Sequence, residues 1–350
     1  MRLLVLGGTE FVGRAVVTSA LGRGWEVTVF HRGRHQPPPG VRSLHGGRTA
    51  PDGLAALAAA PGTWDAVIDT WSGESRAVHA AARLLRGRAA RYVYVSSRSV
   101  YAWPWPSLDG PAAAGALVEG AAADAGPAGY ARDKRGGELA AVEAFGAEAS
   151  LLVRAGLILG PHENVGRLPW WLTRIARGGP VAAPGPRGLP VQFVDARDLA
   201  GWLLGAVEQS LSGPYDLIGP PGHSTMGELL DLCVRVTGAD AELRWIEPEV
   251  ILAAGIEPWT ELPVWVPPGS ELYSCVHRTD VSRALATGLA CRPAAETVAD
   301  TWHWLTEIGG EAPLRPDRTA PGVAPEVEAK LLAQGGGVPG TTPANGASDD

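Results

Sequence analysis

"RLLVLGGTEFVGRAVVTSALGRG", residues 2–24, decides the fold. A short apolar run ends in paired glycines, and a helical pattern then opens and closes on Gly24. A buried strand handing over to a helix through a glycine-rich turn is the start of a βαβ unit. Such a turn presents backbone N–H groups and a helix N-terminus, which together suit a pyrophosphate. Gly7 and Gly8 permit the tight turn, and Gly13 lets the helix pack close to the strand. Gly7, Gly8, Thr9, Phe11, Val12 and Gly13 are therefore read as cofactor-binding; the plainer alternative is a tight βα turn with no ligand.

Working outward, "WEVTVFHR" reads as a second strand, "GLAALAAAPG" as a short helix and "WDAVIDTW" as a third strand. "SRAVHAAARLLRG" is a helix and "RYVYVSS" a strand. A stretch broken by Pro104, Pro106 and Pro111 precedes a helix that carries Tyr130, and "SLLVRAGLILG" is one further buried strand. This alternation predicts an α/β fold, a Rossmann-type doubly wound parallel sheet with right-handed crossovers. Past about residue 160 proline and tryptophan become frequent, which suggests a smaller α+β substrate lobe over the strand carboxyl ends. The expected division is a dinucleotide-binding domain over residues 1–165 with a return segment near 190–207, a substrate-binding lobe over 166–310, and an extension over 311–350. In that extension "PEVEAKLLAQ" reads as a helix that docks back, and "GGGVPGTTPANGASDD" as a disordered tail.

The 350-residue chain is 45% hydrophobic and 19% charged, a globular profile. A net charge of -7 gives no general support to a nucleic-acid or anionic-membrane partner. The 3 cysteines, Cys233, Cys275 and Cys291, have no metal spacing, and their odd number fits a reducing cytoplasm better than a disulfide framework. His162, His223 and His277 lack ligand spacing as well, so no metal site is expected. The first apolar run, of about five residues, is too short for a signal peptide's core. No window holds the roughly 18 apolar residues of a membrane span.

The second strand ends "VFHRGR". A site for NAD usually has an acid there, to accept from the ribose hydroxyls. Arg32 and Arg34 stand in its place and suit a 2′-phosphate, so NADP is favoured over NAD unless these are solvated loop residues. Asp69, Thr70 and Trp71 end the third of these strands at the carboxyl edge. They would line the cofactor or, equally, cap the next helix. Tyr130 and Lys134 lie one above the other on a helical face. Alone, that pair reads as a surface tyrosine beside a solvated lysine.

With the glycine loop, "YVYVSSRSVYA" and "YARDK" together, the chain resembles the short-chain dehydrogenase/reductase superfamily, most of all its extended and atypical branch grouped with NAD-dependent epimerases/dehydratases. The resemblance covers roughly residues 1–305. It implies an active site of a strand-end hydroxyl, a tyrosine and a lysine, which fall on Ser97, Tyr130 and Lys134, with Ser96 and Ser99 as alternatives to Ser97. Lys134 would also reach the nicotinamide ribose. "RAGLILGP" (Arg154 to Pro161) and "VQFVDARDLA" (Val191 to Ala200) resemble the strand beside the nicotinamide and the return into the sheet. The chain departs from the pattern in four places. Glu10 replaces a glycine, giving the "GGTxFxG" form of the atypical branch. "HGGRTA" lacks the usual acid near the adenine. Arg98–Ser99 replaces the Asp–Glu pair of sugar-nucleotide 4,6-dehydratases. The helix from Ser72 to Leu85 has no asparagine to complete a tetrad.

A phenol, with an ordinary pKa of about 10, needs a neighbouring cation to exchange protons near neutrality. Lys134 would supply that charge to Tyr130, and Ser97 would hold the reacting oxygen. The leading expectation is an NADP-dependent oxidoreductase acting on a carbonyl or secondary alcohol of a small molecule. One alternative is a sugar-nucleotide epimerase with tightly held NAD, whose diphosphate would need several convergent arginines. Arg167, Arg174, Arg177, Arg187, Arg244, Arg278 and Arg283 are the candidates. Another is a non-catalytic cofactor-sensing or RNA-associated member, against which the intact Ser97, Tyr130 and Lys134 speak. The tryptophans of the second lobe would form either its core or an aromatic pocket. By analogy with its superfamily the chain would form a homodimer.

Overall fold

The computed structural model describes residues 1–110 and 115–334. In chain order the strands are β1 (Arg2–Leu6), β2 (Glu26–His31), β3 (Arg42–His45), β4 (Ala66–Asp69), β5 (Tyr92–Ser97), β6 (Ser150–Ala155), β7 (Ile158–Leu159), β8 (Gly179–Pro184), β9 (Pro190–Val191), β10 (Val194–Asp195), β11 (Gly213–Leu217), β12 (Ser224–Thr225), β13 (Ala241–Ile246), β14 (Pro258–Trp259) and β15 (Leu262–Pro263). The helices are α1 (Phe11–Gly22), α2 (Ala55–Ala59), α3 (Ser75–Leu85), α4 (Tyr130–Phe145), α5 (Arg167–Ala176), α6 (Ala196–Glu208), α7 (Met226–Thr237), α8 (Pro248–Ala253), α9 (Glu271–His277), α10 (Ser282–Ala286), α11 (Ala294–Glu307) and α12 (Pro325–Gln334).

Seven strands form one parallel sheet in the order β11-β6-β5-β4-β1-β2-β3. The order reverses between β1 and β4, and a doubly wound sheet opens its ligand crevice at such a switch point. The central strands are buried almost throughout, because helices cover both faces. On one face α1 and α6 pack with Val16, Val17, Leu199 and Leu203 against Val5, Val29 and Val153. On the other, α3 and α4 pack with Val78, Ala81, Ala140 and Ala141 against Leu4, Val67 and Tyr94.

Two parts of the strand reading are corrected. "SLLVRAGLILG" is two strands, because the chain leaves the sheet at Gly156, whose N–H donates to the Leu217 carbonyl at 3.0 Å. A side chain there would meet Ile218 at 2.5 Å. The strand that returns to the sheet is β11, at Gly213–Leu217, and not Val191 to Ala200; Val194–Asp195 pairs only with Ile158–Leu159, outside the main sheet.

The second lobe has its own core, built from α5, α7, α11 and the parallel pair β8 and β13. Trp171 and Trp265 are fully buried there, and their indole N–H groups donate to the carbonyls of Pro263 (2.8 Å) and Gly185 (2.9 Å). A buried indole needs such a partner, so these two tryptophans are core. Of Trp170, Trp171, Trp245, Trp259 and Trp265, only Trp259 lines the crevice. The helix read in "PEVEAKLLAQ" is α12; its buried Glu328 accepts from Arg174 Nε at 2.6 Å and from Ala182 N–H at 3.1 Å. The tail from residue 335 lies outside the described residues, as does Pro111. No helix among the described residues is long and apolar enough to cross a membrane.

Candidate active site

Gly7, Gly8, Thr9, Phe11, Val12, Gly13, Arg32, Arg34, Thr70, Ser97, Tyr130 and Lys134 all line one crevice of about 1610 Å³, and of the candidates at the end of β4 only Asp69 does not. The crevice runs along the carboxyl ends of β1, β2, β4 and β5, under the second lobe.

At its floor the loop after β1 leaves no room for side chains. Gly7 has φ +116° and a Cβ there would sit 2.4 Å from Thr70 Oγ1; a Cβ on Gly13 would sit 2.6 Å from the Gly8 nitrogen. The Thr70 hydroxyl donates to the Leu6 carbonyl at 3.1 Å and fixes that wall. Among the described residues no side chain caps the first turn of α1. Its N–H groups therefore face the crevice without partners, as a pyrophosphate requires. Glu10 does not spoil this. Its carboxylate is drawn aside by His35 Nε2 at 2.9 Å and by Asn164 Nδ2 at 2.9 Å. The loop thus fits the phosphates of a dinucleotide.

Beyond β2, Arg32 and Arg34 are exposed at the rim, and among the described residues no carboxylate pairs with them. Asp69, the nearest strand-end acid, is fully buried and spent. Arg48 grips it bidentately at 2.5 and 2.8 Å, the Tyr92 hydroxyl donates to it at 2.5 Å and the Trp71 N–H at 2.9 Å. Burial works against the ionised carboxyl, but the Arg48 charge and these donors outweigh it and hold Asp69 below the usual range. Arg48 comes from "HGGRTA", the stretch without an acid. It trades that acid for a cation that closes the bottom of the pocket, over the Trp71 ring at 5.0 Å. Asp69 is therefore structural, Trp71 lines the crevice as one of its two readings had it, and Arg48 is a lining residue the sequence reading did not assign.

At the reaction end, β5 and α4 meet. Ser97 Oγ accepts from the Ser99 N–H at 3.2 Å and the Ser99 hydroxyl at 3.0 Å, which leaves the Ser97 proton free to donate into the crevice. Ser96 is buried behind it. Arg98 points the other way, into the second lobe, and donates to Thr279 Oγ1 at 2.5 Å and to the carbonyls of Cys275 and Pro106. Through these bonds it fastens the lobes, while part of it also lines the crevice.

Tyr130 opens α4 and is 38% exposed; among the described residues its hydroxyl has no hydrogen-bond partner. Lys134, one turn on, is 3% exposed. Its ammonium donates to the carbonyls of Trp71 (2.6 Å) and Val95 (2.7 Å), 4.9 Å from the Tyr94 ring centroid and 6.0 Å from that of Tyr130. Burial pushes its pKa down to about 7, against the pull of Asp69. The tyrosine and lysine are thus brought to one face but held differently: the phenol is open to a ligand, and the cation lies beneath it.

His162 and Asn164, after β7, and Arg167, Trp259 and Trp304 of the second lobe close the crevice. Of the arginines considered for a diphosphate, only Arg167 lines it. Arg174 pairs with Glu328, Arg187 with Asp231, Arg244 with Glu242 and Arg278 with Asp109; Arg283 bonds the Pro214 carbonyl. Two arginines outside that set, Arg315 and Arg318, do reach the crevice. Their place in a Pro/Gly-rich extension gave no signal of it. No cluster of His, Cys, Asp or Glu suited to a metal occurs among the described residues.

No curated protein matches the sequence. Among solved structures, the Bordetella bronchiseptica enzyme WbmH in complex with NAD+ is similar at 18% identity, over 88% of this chain and 99% of that one, with a TM-score of 0.61. UDP-glucose 4-epimerase of Thermus thermophilus, in complex with NAD, is similar at 20% identity over 87% and 99%, TM-score 0.58. UDP-glucuronic acid 4-epimerase from Bacillus cereus, also with NAD, is similar at 14% identity over 88% and 99%, TM-score 0.59. At these identities the likeness is one of fold. The family model that matches residues 3–217 spans the glycine loop, Ser97, Tyr130, Lys134 and the whole seven-stranded sheet, and on that match the chain belongs to the NAD dependent epimerase/dehydratase family.

Proposed function

We propose that the protein is an NADP-dependent oxidoreductase that interconverts a carbonyl and a secondary alcohol on a small molecule. The observation that carries this reading is Tyr130, with an unpartnered hydroxyl in the crevice and the buried Lys134 ammonium one turn below. When bound, the cofactor supplies or accepts the hydride. In our reading the chain's own residues do the rest. The α1 amides and Gly7 to Gly13 hold the phosphates, and Arg32 and Arg34 take the 2′-phosphate. The free proton of Ser97 fixes the substrate oxygen, and Tyr130 passes a proton to or from that oxygen. The charge of Lys134 lowers the cost of the phenolate.

The test is a titration of NADPH against NADH, followed by a carbonyl panel with Tyr130→Phe beside the wild type. The expected result is tighter NADPH binding in both proteins, with turnover on the order of a hundredfold lower in the variant. Equal activity in Tyr130→Phe would sink the reading. Family membership favours a second one, a sugar-nucleotide epimerase. A cofactor that copurifies and does not exchange would support the epimerase; a freely exchanging one supports the reductase.

A further inference from the structure

After α11 the chain crosses the mouth of the crevice before it reaches α12. This strap, residues 311–322, is pinned at two points. The Arg315 N–H donates to the Asn164 carbonyl and the Gly322 N–H to the Thr260 carbonyl, each at 3.0 Å. Gly322, at φ +115°, lies so close to Trp170 that a Cβ would fall 1.8 Å from its Nε1. Between the pins, residues 316–320 are exposed.

The strap carries Arg318 to Tyr130, with its Cζ 4.5 Å from the ring centroid. Arg167, at the start of α5, flanks the same space, its Cζ 4.9 Å from the Trp259 ring. Among the described residues neither guanidinium has a carboxylate partner. Glu163 spends its oxygens on the N–H groups of Arg167 (2.7 Å) and Leu168 (3.2 Å), and Asp317 is held by Arg315 at 2.6 Å. Burial, and to a smaller degree the Arg318 charge, lower the proton affinity of Arg167, against the pull of Glu163 and Tyr130. In a chain of net charge -7, this corner gathers Arg167, Arg315 and Arg318 on one crevice, and the nearby carboxylates, Glu163 and Asp317, are engaged by backbone N–H groups and by Arg315. The phosphates of a dinucleotide do not answer to it, since they belong at the glycine loop after β1.

We propose that Arg318 of the strap and Arg167 of α5 form an oxyanion site beside Tyr130, so that the substrate carries a carboxylate or phosphate near the carbon that reacts. The proposal rests on the reading of Tyr130 as the proton-transferring group. The planar forks of two guanidiniums suit either oxyanion. The strap lifts for entry and closes on the bound charge, which fixes the substrate's orientation over the phenol.

Trypsin reads this directly. Arg318–Thr319 is the exposed tryptic bond of the strap, because Arg315 is followed by Pro316. With the protein saturated in NADPH, inorganic phosphate or malonate at ten times its Kd should slow that cut about tenfold. Chloride at matched ionic strength should not. Phosphate against malonate tells which oxyanion the site prefers. Arg167→Met should lose the protection and Arg167→Lys keep part of it. In Arg318→Gln the phosphate-dependent rise in melting temperature should disappear. Tyr130→Phe should remain protected while inactive. No protection by either anion, or equal protection in Arg167→Met, overturns the site. Protection in a Tyr130→Phe variant that is still active removes the role of the phenol and leaves the oxyanion site standing.

Discussion

Lys134 donates to the carbonyl oxygen of Trp71 at 2.6 Å and so ties α4 to the loop that follows β4. The second bond, to Val95 at 2.7 Å, ties the same ammonium to β5. The cation is thereby fixed under Tyr130 before any ligand arrives, and its burial holds its pKa at about 7. An unfolded lysine titrates near 10.4. Between about pH 7 and that value the unfolded chain holds the extra proton, so the free energy of unfolding rises with pH, by at most about 1.4 kcal/mol per pH unit. Urea denaturation of the apoprotein between pH 7 and 8.5 should show this rise, and Lys134→Met should lack it. Above that window the buried thiol of Cys233, pushed up by burial, acts in the opposite sense. A wild-type slope equal to that of Lys134→Met would contradict a buried, neutralising lysine.

Glu163 provides the converse case. It is fully buried, and burial raises its pKa to about 7 against the pull of Arg167 and three backbone N–H groups. From about pH 4.5 to 7 the folded state therefore holds the proton that the unfolded chain has lost, and stability falls as pH rises. Glu163→Gln keeps an acceptor for the α5 amides and has no proton to bind. The difference in unfolding free energy, variant minus wild type, should climb steadily through that window and level off above pH 7. A flat difference would show that Glu163 is ionised throughout.

Arg32 and Arg34 at the end of β2 should set the choice of cofactor. A hydrogen bond to a charged group contributes about 1.5–3 kcal/mol. Arg32→Ala/Arg34→Ala should therefore weaken NADPH binding by roughly tenfold to a hundredfold and leave NADH binding unchanged. Isothermal titration with both cofactors checks this. An equal loss for both would mean that the two guanidiniums serve the adenine side in general rather than the 2′-phosphate.

The alternation of buried strands and helices was readable because a parallel sheet covered on both faces demands continuous apolar runs. Where that demand lapses, the reading lapsed too. β3, "RSLH", is an exposed edge strand without an apolar run, and β11 opens on Gly-Pro. The reacting pair was readable because Tyr130 and Lys134 are four residues apart on one helix, so that local geometry alone brings them together. Arg318 stacks on Tyr130 from more than half the chain length away in sequence, and Arg48 meets Asp69 through the packing of a loop on the end of β4. Such contacts follow from tertiary arrangement and leave no periodicity behind. The aromatic residues of the second lobe were ambiguous for a related reason: Trp171 and Trp259 differ in burial, not in local pattern.

Two glycines in helix interiors separate propensity from packing. Replacing glycine by alanine inside a helix is worth about 1 kcal/mol where nothing obstructs the new methyl group. On α6, a Cβ at Gly201 meets nothing within 4 Å, so Gly201→Ala should raise the denaturation midpoint. On α4, a Cβ at Gly137 would fall 2.5 Å from Cζ and Oη of Tyr94. That ring is buried, and its hydroxyl donates to the Trp71 carbonyl at 3.3 Å, so it has nowhere to retreat. Overpacking of this kind costs about 1–3 kcal/mol, enough to cancel or exceed the gain in propensity. Because Tyr94 also forms the wall against the Lys134 ammonium, its displacement should disturb the cation that serves Tyr130. Gly137→Ala is thus expected to lower both the midpoint and the turnover number, whereas Gly201→Ala raises the first and leaves the second alone. If Gly137→Ala is stabilised as Gly201→Ala is, α4 does not rest on Tyr94 as described, and the seat of the lysine must be sought elsewhere.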